Sequence, residues 1–198
     1  MKRALLIITV LFIAVISTAC INNFAVQELN NKALVYLNNG DYEAAIDRLQ
    51  ASLDLDSTIY ETNYNLGVAY IKANKYKEAI GVLKKAAEIN PERADSYYSL
   101  AVAQESYGQK LLNMSTKASS EDNSIENNDD YDTEKESADE DEALSVEQRK
   151  AKAVELYNDA VASYKKYLEK APDAKDKDDI NNEINSLEEE ISKLGLGE

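Results

Sequence analysis

The sequence predicts an all-α fold, an array of antiparallel helical hairpins, and three observations predict it. The first is a fixed step. Ala33, Gly67 and Ala101 stand 34 residues apart, and the same step carries Tyr36 to Tyr70, Tyr42 to Tyr76, Ala45 to Ala79, Ile46 to Ile80 and Leu49 to Leu83. Self-similarity at a fixed period is the signature of a repeat architecture. The second is the three- and four-residue spacing of apolar side chains within each unit, which is the period of a helix with one buried face. The third is punctuation, with Pro91 ending one copy and Pro172 another, as helix terminators do.

The first two units follow directly. Residues 38–56, NNGDYEAAIDRLQASLDLD, return as residues 72–90, KANKYKEAIGVLKKAAEIN. Gly67 lies inside a run that otherwise reads as helix, where Gly costs about 0.8–1 kcal/mol against Ala. A 34-residue helix–turn–helix unit with these residues resembles the tetratricopeptide repeat, TPR. The resemblance implies a structural frame of Ala33, Tyr36 and Ala45, then Gly67, Tyr70, Ala79 and Pro91, then Ala101, Ala160 and Pro172. It also implies that Gly67 faces Ala79 where two helices cross, since a larger side chain there would push the axes beyond 8–10 Å. Leu66, Tyr70, Tyr76 and Leu83 fill in around that contact.

The third unit is split. Its first helix is predicted over 94–113, with Tyr97, Leu100 and Ala101 in place and Gln104 where the repeat favours Tyr. Its second helix reappears downstream: Tyr157, Ala160, Val161, Tyr164, Leu168 and Pro172 match Tyr76, Ala79, Ile80, Leu83, Ala87 and Pro91 at an offset of 81. That offset is one repeat plus an insertion of 47 residues. Helical sequence runs past the normal turn on both sides, and Ser145-Val-Glu-Gln148 reads as a capping box. Residues 114–144 between are acidic and poor in apolar side chains, so they are expected to be disordered. The second helix then spans 145–173. Tyr167, where a small residue is usual, is expected to pack on the C-terminal helix. That helix, within 174–198, lines up Ile180, Ile184, Leu187, Ile191 and Leu194 on one face and closes the array as a cap.

The chain opens MKRALLIITVLFIAVISTAC. Lys2 and Arg3 precede an apolar run and a small-residue site just before Cys20. This resembles a bacterial lipoprotein signal over residues 1–19, which implies that Cys20 is lipidated and that residues 20–25 form a short tether to a first unit at 26–59. The second unit covers 60–93. The resemblance implies a membrane-anchored protein of the cell envelope, on the extracytoplasmic side.

Composition excludes more than it assigns. The net charge of −15 works against holding nucleic acid by charge. With no His in the chain there is no Ser-His dyad and no imidazole acid–base chemistry. The six Gly residues build no phosphate loop or dinucleotide fingerprint. Asp129-Asp130-Tyr131-Asp132 lacks the Gly and terminal spacing of a calcium loop. No catalytic residues, metal site or cofactor are expected, and the chain reads as a non-enzyme.

What remains is a binding surface. In TPR arrays the first helix of each pair lines a concave groove, so the resemblance places Asn30, Leu34 and Leu37, then Tyr64, Val68 and Ile71, then Tyr98, Val102 and Glu105 on it. Leu34, Val68 and Val102 recur at the 34-residue step, as do Tyr64 and Tyr98. An apolar, aromatic stripe suits an extended or helical peptide. The expected function is therefore a scaffold or adaptor holding a protein or peptide partner. Two other classes fit the same sequence: a solute- or lipid-binding accessory of a transporter, and a structural subunit of an envelope complex docked through the long third hairpin.

Overall fold

The computed structural model describes residues 23–121 and 141–195. The expectations for residues 1–22, Cys20 included, and for 122–140 of the insertion lie outside the described residues. The chain divides into two compact units, Met1–Pro91 and Glu92–Glu198. Among the described residues there are seven helices and no strand.

The first unit holds α1 (23–39), α2 (Tyr42–Leu55), α3 (Tyr60–Lys72) and α4 (Tyr76–Ile89). The repeat is visible in the backbone. α1 and α3 end in the same device 34 residues apart, with Gly40 at φ 80° and Asn74 at φ 59°. These are left-handed positions, which Gly and Asn tolerate best. In each, a six-to-one bond closes the helix, Asp41 N–H to the Tyr36 carbonyl and Lys75 N–H to the Tyr70 carbonyl, both 2.9 Å. Asp41 then caps α2 by accepting from the Ala44 N–H. Asp56 holds the next turn, accepting from the Thr58 N–H and hydroxyl.

The core of this unit is made of Ala33, Ala45, Ile46, Leu49, Leu66, Ala69, Ala79, Leu83 and Ala86, all buried. Gly67 does mark a close approach, but Leu83 rather than Ala79 is what stands against it. A Cβ built on Gly67 would collide with Leu83 Cγ and lie 2.6 Å from its Cδ2. Leu83 is one turn beyond Ala79 on α4, so the small residue at 79 lets the helices meet while Leu83 fills the space the missing Cβ leaves.

The second unit holds α5 (Ala94–Glu121), α6 (Val146–Lys170) and α7 (Lys177–Lys193). α5 continues to Glu121, eight residues past the boundary drawn from composition at 113. Continuing a helix that is already nucleated needs no new nucleus, so polar residues can extend it. α6 starts where the capping box places it: Gln148 N–H donates to Ser145 Oγ and Ser145 N–H to Gln148 Oε1. A second close approach has no counterpart in the 34-residue frame. A Cβ on Gly108 would lie 2.6 Å from Tyr157 Cε1 and 3.3 Å from the Ala153 carbonyl. Gly108 lets the lengthened α5 and α6 stay packed beyond the normal turn. α7 buries Ile180, Ile184 and Leu187, while Ile191 and Leu194 are half-buried. Tyr167 does reach the C-terminal segment, donating to Asp176 at 2.8 Å.

The returning end of the insertion is fixed. Residues 141–144, expected as part of the disordered stretch, form a turn on the hairpin. Asp141 is 5 % exposed and accepts from the Tyr107 hydroxyl at 2.6 Å. Arg149, equally buried, donates to the carbonyls of Asp141 (3.0 Å), Glu142 (2.9 Å) and Met114 (3.4 Å). One guanidinium thereby ties α5, the turn and α6 together, using the fork geometry that sets Arg apart from Lys. Composition hides this, because Asp141 looks like one more acid in an acidic run.

Candidate functional site

The residues assigned to the groove fall partly in each unit. In the first, Leu34 of α1 is 42 % exposed, and Leu37, Tyr64, Val68 and Ile71 are half-buried. The Tyr64 ring stacks on Tyr60, with centroids 5.9 Å apart and planes within 7°. Asn30 departs from its assignment. Its side-chain nitrogen turns inward, 2.9 Å from the Val26 carbonyl, Ser52 Oγ and Thr62 Oγ1. It stitches α1 to α2 and α3 rather than offering a donor to a partner. Ser52 and Thr62 are fully buried polar residues. Their hydroxyls accept from the Asn30 amide nitrogen, while Asn30 Oδ1 is buried without a hydrogen-bond partner among the described residues. Phe24 and Val35 add exposed apolar surface on α1 that the periodicity alone did not single out. Asn65 is half-buried and Lys72 exposed on α3.

In the second unit the face of α5 that carries the residues assigned to the groove is longer than a normal repeat allows. Tyr98, Val102, Glu105, Gln109, Leu112 and Thr116 are spaced four, three, four, three and four, so they form one stripe. Tyr98 is 39 % exposed and leans on Tyr167 (5.3 Å) and Tyr164 (6.1 Å), tilted and edge-on respectively. Val102 is half-buried. Where the repeat favours Tyr, Gln104 is buried instead, and its amide lies 2.8 Å from the Ser163 hydroxyl of α6. Ala33, Ala45, Ala79, Ala101 and Ala160 are fully buried, Tyr70 nearly so and Tyr36 half-buried. Pro91 and Pro172 are exposed just past the C-caps of α4 and α6.

Carboxylates set the electrostatics of this stripe. Glu105 accepts from the Tyr164 hydroxyl at 2.7 Å. Burial pushes the Glu105 carboxyl above its ordinary value of 4.5, and Glu183 and Glu190 of α7 push it the same way. Burial likewise raises the Tyr164 and Tyr157 phenols, and Tyr167 is pushed up to about 12 by burial and by its bond to Asp176. A folded-state pKa above the unfolded one means that the native state binds the extra proton. The associated stability is complete below the unfolded value and is lost as pH rises through the folded value. Glu105→Gln should therefore flatten the decline in unfolding free energy above pH 4.5, because the amide mimics the protonated acid toward Tyr164 and Glu183. Urea midpoints measured from pH 4 to 7 check this. Parallel profiles for the two proteins would show that Glu105 carries no such linkage.

Comparison with known proteins bears on the fold. Residues 36–109 match the family model of the tetratricopeptide repeat. The chain is 34 % identical over 77 residues to superkiller complex protein 3 of Homo sapiens, covering 39 % of this chain and 5 % of that protein. It is 30 % identical over 69 residues to photosystem I assembly protein Ycf3 of Prochlorococcus marinus (strain MIT 9303), covering 35 % and 40 % respectively. The chain thus spans less than half the length of these relatives. Among solved structures it is similar to the first TPR of Spaghetti (RPAP3) bound to the HSP90 peptide SRMEEVD. That match has a TM-score of 0.55 at 17 % identity and covers 84 % of this chain and 93 % of the other. It is also similar to the second TPR domain of human RPAP3 in complex with the HSP70 peptide SGPTIEEVD, with TM-score 0.56, 14 % identity and coverages of 83 % and 98 %. The fold is that of a TPR helical repeat.

Proposed function

We propose that this TPR-fold chain is a non-catalytic adaptor of the bacterial cell envelope, tethered through a lipid on Cys20, that holds a protein or peptide on its groove-lining helices. The observation that carries the reading is the partial exposure of Leu34 and Tyr98, large side chains on those helices that the fold only partly covers. Each unit offers its own segment of such surface, α1 and α3 in the first and α5 in the second. The solved TPR domains with peptides bound support the same use of the fold. The peptides in those complexes end in EEVD, and Glu105 of α5, with Glu183 and Glu190 of α7, favours a different sequence here, because like charges juxtaposed in an interface suppress binding.

In-cell crosslinking from membranes tests the reading. Tyr64→Asp with Tyr98→Asp should reduce capture of a specific partner by tenfold or more while leaving helicity intact by circular dichroism. Undiminished capture would overturn the groove assignment. In the same fractionation, a Cys20→Ala variant should leave the membrane pellet, and one that stayed there would overturn the lipid tether.

A further inference from the structure

A cavity of about 440 Å³ lies within the second unit at the junction of α5, α6 and α7, lined among others by Gln109, Leu112, Thr116, Lys150, Glu190 and Leu194. Its place is set by the features that distinguish this unit from a plain repeat. Leu112 and Thr116 belong to the roughly four turns by which α5 overruns the normal hairpin, and they continue the stripe that begins at Tyr98. Lys150 lies in the matching extension of α6, and Glu190 and Leu194 end the capping helix. The groove face of α5 therefore runs into a built depression rather than stopping at a turn.

The size of the cavity is that of a site for one or two large side chains, at the small end of ligand pockets. Leu112 and Leu194 give it apolar walls. Gln109 and Asn113 are already engaged with each other, the Gln109 amide donating to Asn113 at 3.3 Å. Tyr157 donates to Gln109 from beneath. The charged side chain on the α7 wall is Glu190, whose carboxylate has no ion-pair partner among the described residues although Lys150 lines the same cavity. Glu183 and Glu105 stand behind it along the α5–α7 seam and feel one another's charge. Lys150 is exposed at the opposite rim. Three carboxylates face Lys150 at the rim and Lys193 one turn along α7, whose ammonium Glu189 and Glu190 stabilise, so the wall stays net negative and a basic group entering beside Glu190 would relieve repulsion as well as form a pair.

We infer that this cavity is an anchor subsite for an amphipathic partner segment, taking an aliphatic side chain between Leu112 and Leu194 and a flanking Lys or Arg against Glu190. This rests on the adaptor reading and adds the chemistry of the partner: basic and apolar, not acidic. An acidic segment would meet Lys150 but face the carboxylates of α7 and α5.

The test uses the full chain and two synthetic twelve-residue peptides with the same leucine anchors, one flanked by Lys and the other by Glu, followed by amide chemical shifts and by fluorescence anisotropy. The Lys-flanked peptide should bind about tenfold tighter, the effect of one close charge pair, with shifts centred on Leu112, Glu190 and Leu194. Glu190→Lys should invert the preference, and Glu190→Gln should erase it. Helicity by circular dichroism identifies any variant that fails to fold, in which case the Gln form alone decides. Equal affinities for the two peptides, no binding of either, or a preference unmoved in Glu190→Lys would each overturn the subsite. The outcomes also separate it from the adaptor reading. Partner capture lost in the Tyr64/Tyr98 variant without peptide discrimination would sink the subsite alone. Discrimination that inverts with residue 190 while capture ignores Tyr64 and Tyr98 would sink the groove and keep the subsite.

Discussion

Gly67→Ala should destabilise the protein by about 1–2 kcal/mol, and Gly81→Ala, the same chemical change fourteen residues on, should stabilise it by up to about 1 kcal/mol. Both glycines sit inside helices, α3 and α4, where Ala is favoured by about 0.8–1 kcal/mol on propensity alone. What reverses the sign is the space each methyl would enter. At Gly81 nothing stands within 4 Å of a built Cβ, so the propensity gain is realised in full. At Gly67 the methyl meets Leu83 Cγ and Cδ2, and Leu83 is completely buried with no exit. Overpacking of that kind costs about 1–3 kcal/mol. Gly108→Ala should behave like Gly67→Ala or worse, because the obstacles are a rigid, fully buried Tyr157 ring and a backbone carbonyl. Urea unfolding of the three single variants, followed by circular dichroism, tests the pattern. Three shifts of the same sign would show that propensity rather than packing governs these positions.

Arg149→Met should cost about 2–4 kcal/mol, a large effect for a residue that looks from sequence like one more surface charge. The guanidinium serves three carbonyls from a buried position, and hydrogen bonds to a charged group contribute about 1.5–3 kcal/mol each before compensation. Removing it leaves the Asp141 and Glu142 carbonyls without their donor and the buried Asp141 carboxylate with its Tyr107 bond and a long 3.9 Å contact to Lys110. Arg149→Lys should recover little, since a single ammonium cannot span the three acceptors. The local signature is proteolysis. Cleavage within 141–145 should accelerate in Arg149→Met before the rest of the hairpin opens. A variant that unfolds at the wild-type urea midpoint and resists cleavage equally would show that the clamp contributes nothing.

The repeat itself was legible because its signals are local. A 34-residue step, helical spacing, Ser145 with Gln148, and Pro91 and Pro172 each report on a few neighbouring residues, and the helices begin and end close to where those signals put them. The groove positions were legible only as a register, the set of residues that share a helix face. Whether a side chain on that face points outward depends on what faces it from another helix. Asn30 shows the difference: its polarity reads as a surface donor, and only the convergence of Ser52 and Thr62 from α2 and α3 turns it inward. Gly67 shows it again, since sequence identifies a close approach but not whether Ala79 or Leu83 fills it. The clamp on Asp141 and the cavity at Glu190 arise where α5 meets elements at least 25 residues away. No period in the sequence encodes them.

The Arg149 clamp has a further consequence for how such a chain can change length. By holding the Met114 carbonyl of α5 and the carbonyls of Asp141 and Glu142 with one side chain, it brings the two stems of the insertion together independently of what lies between. Once the stems are fixed, each doubling of the intervening segment adds only about 0.6 kcal/mol of closure entropy. The position is therefore where a graft is best tolerated: replacing 122–140 with an affinity tag should leave the unfolding free energy measured in urea within about 1 kcal/mol of the wild type.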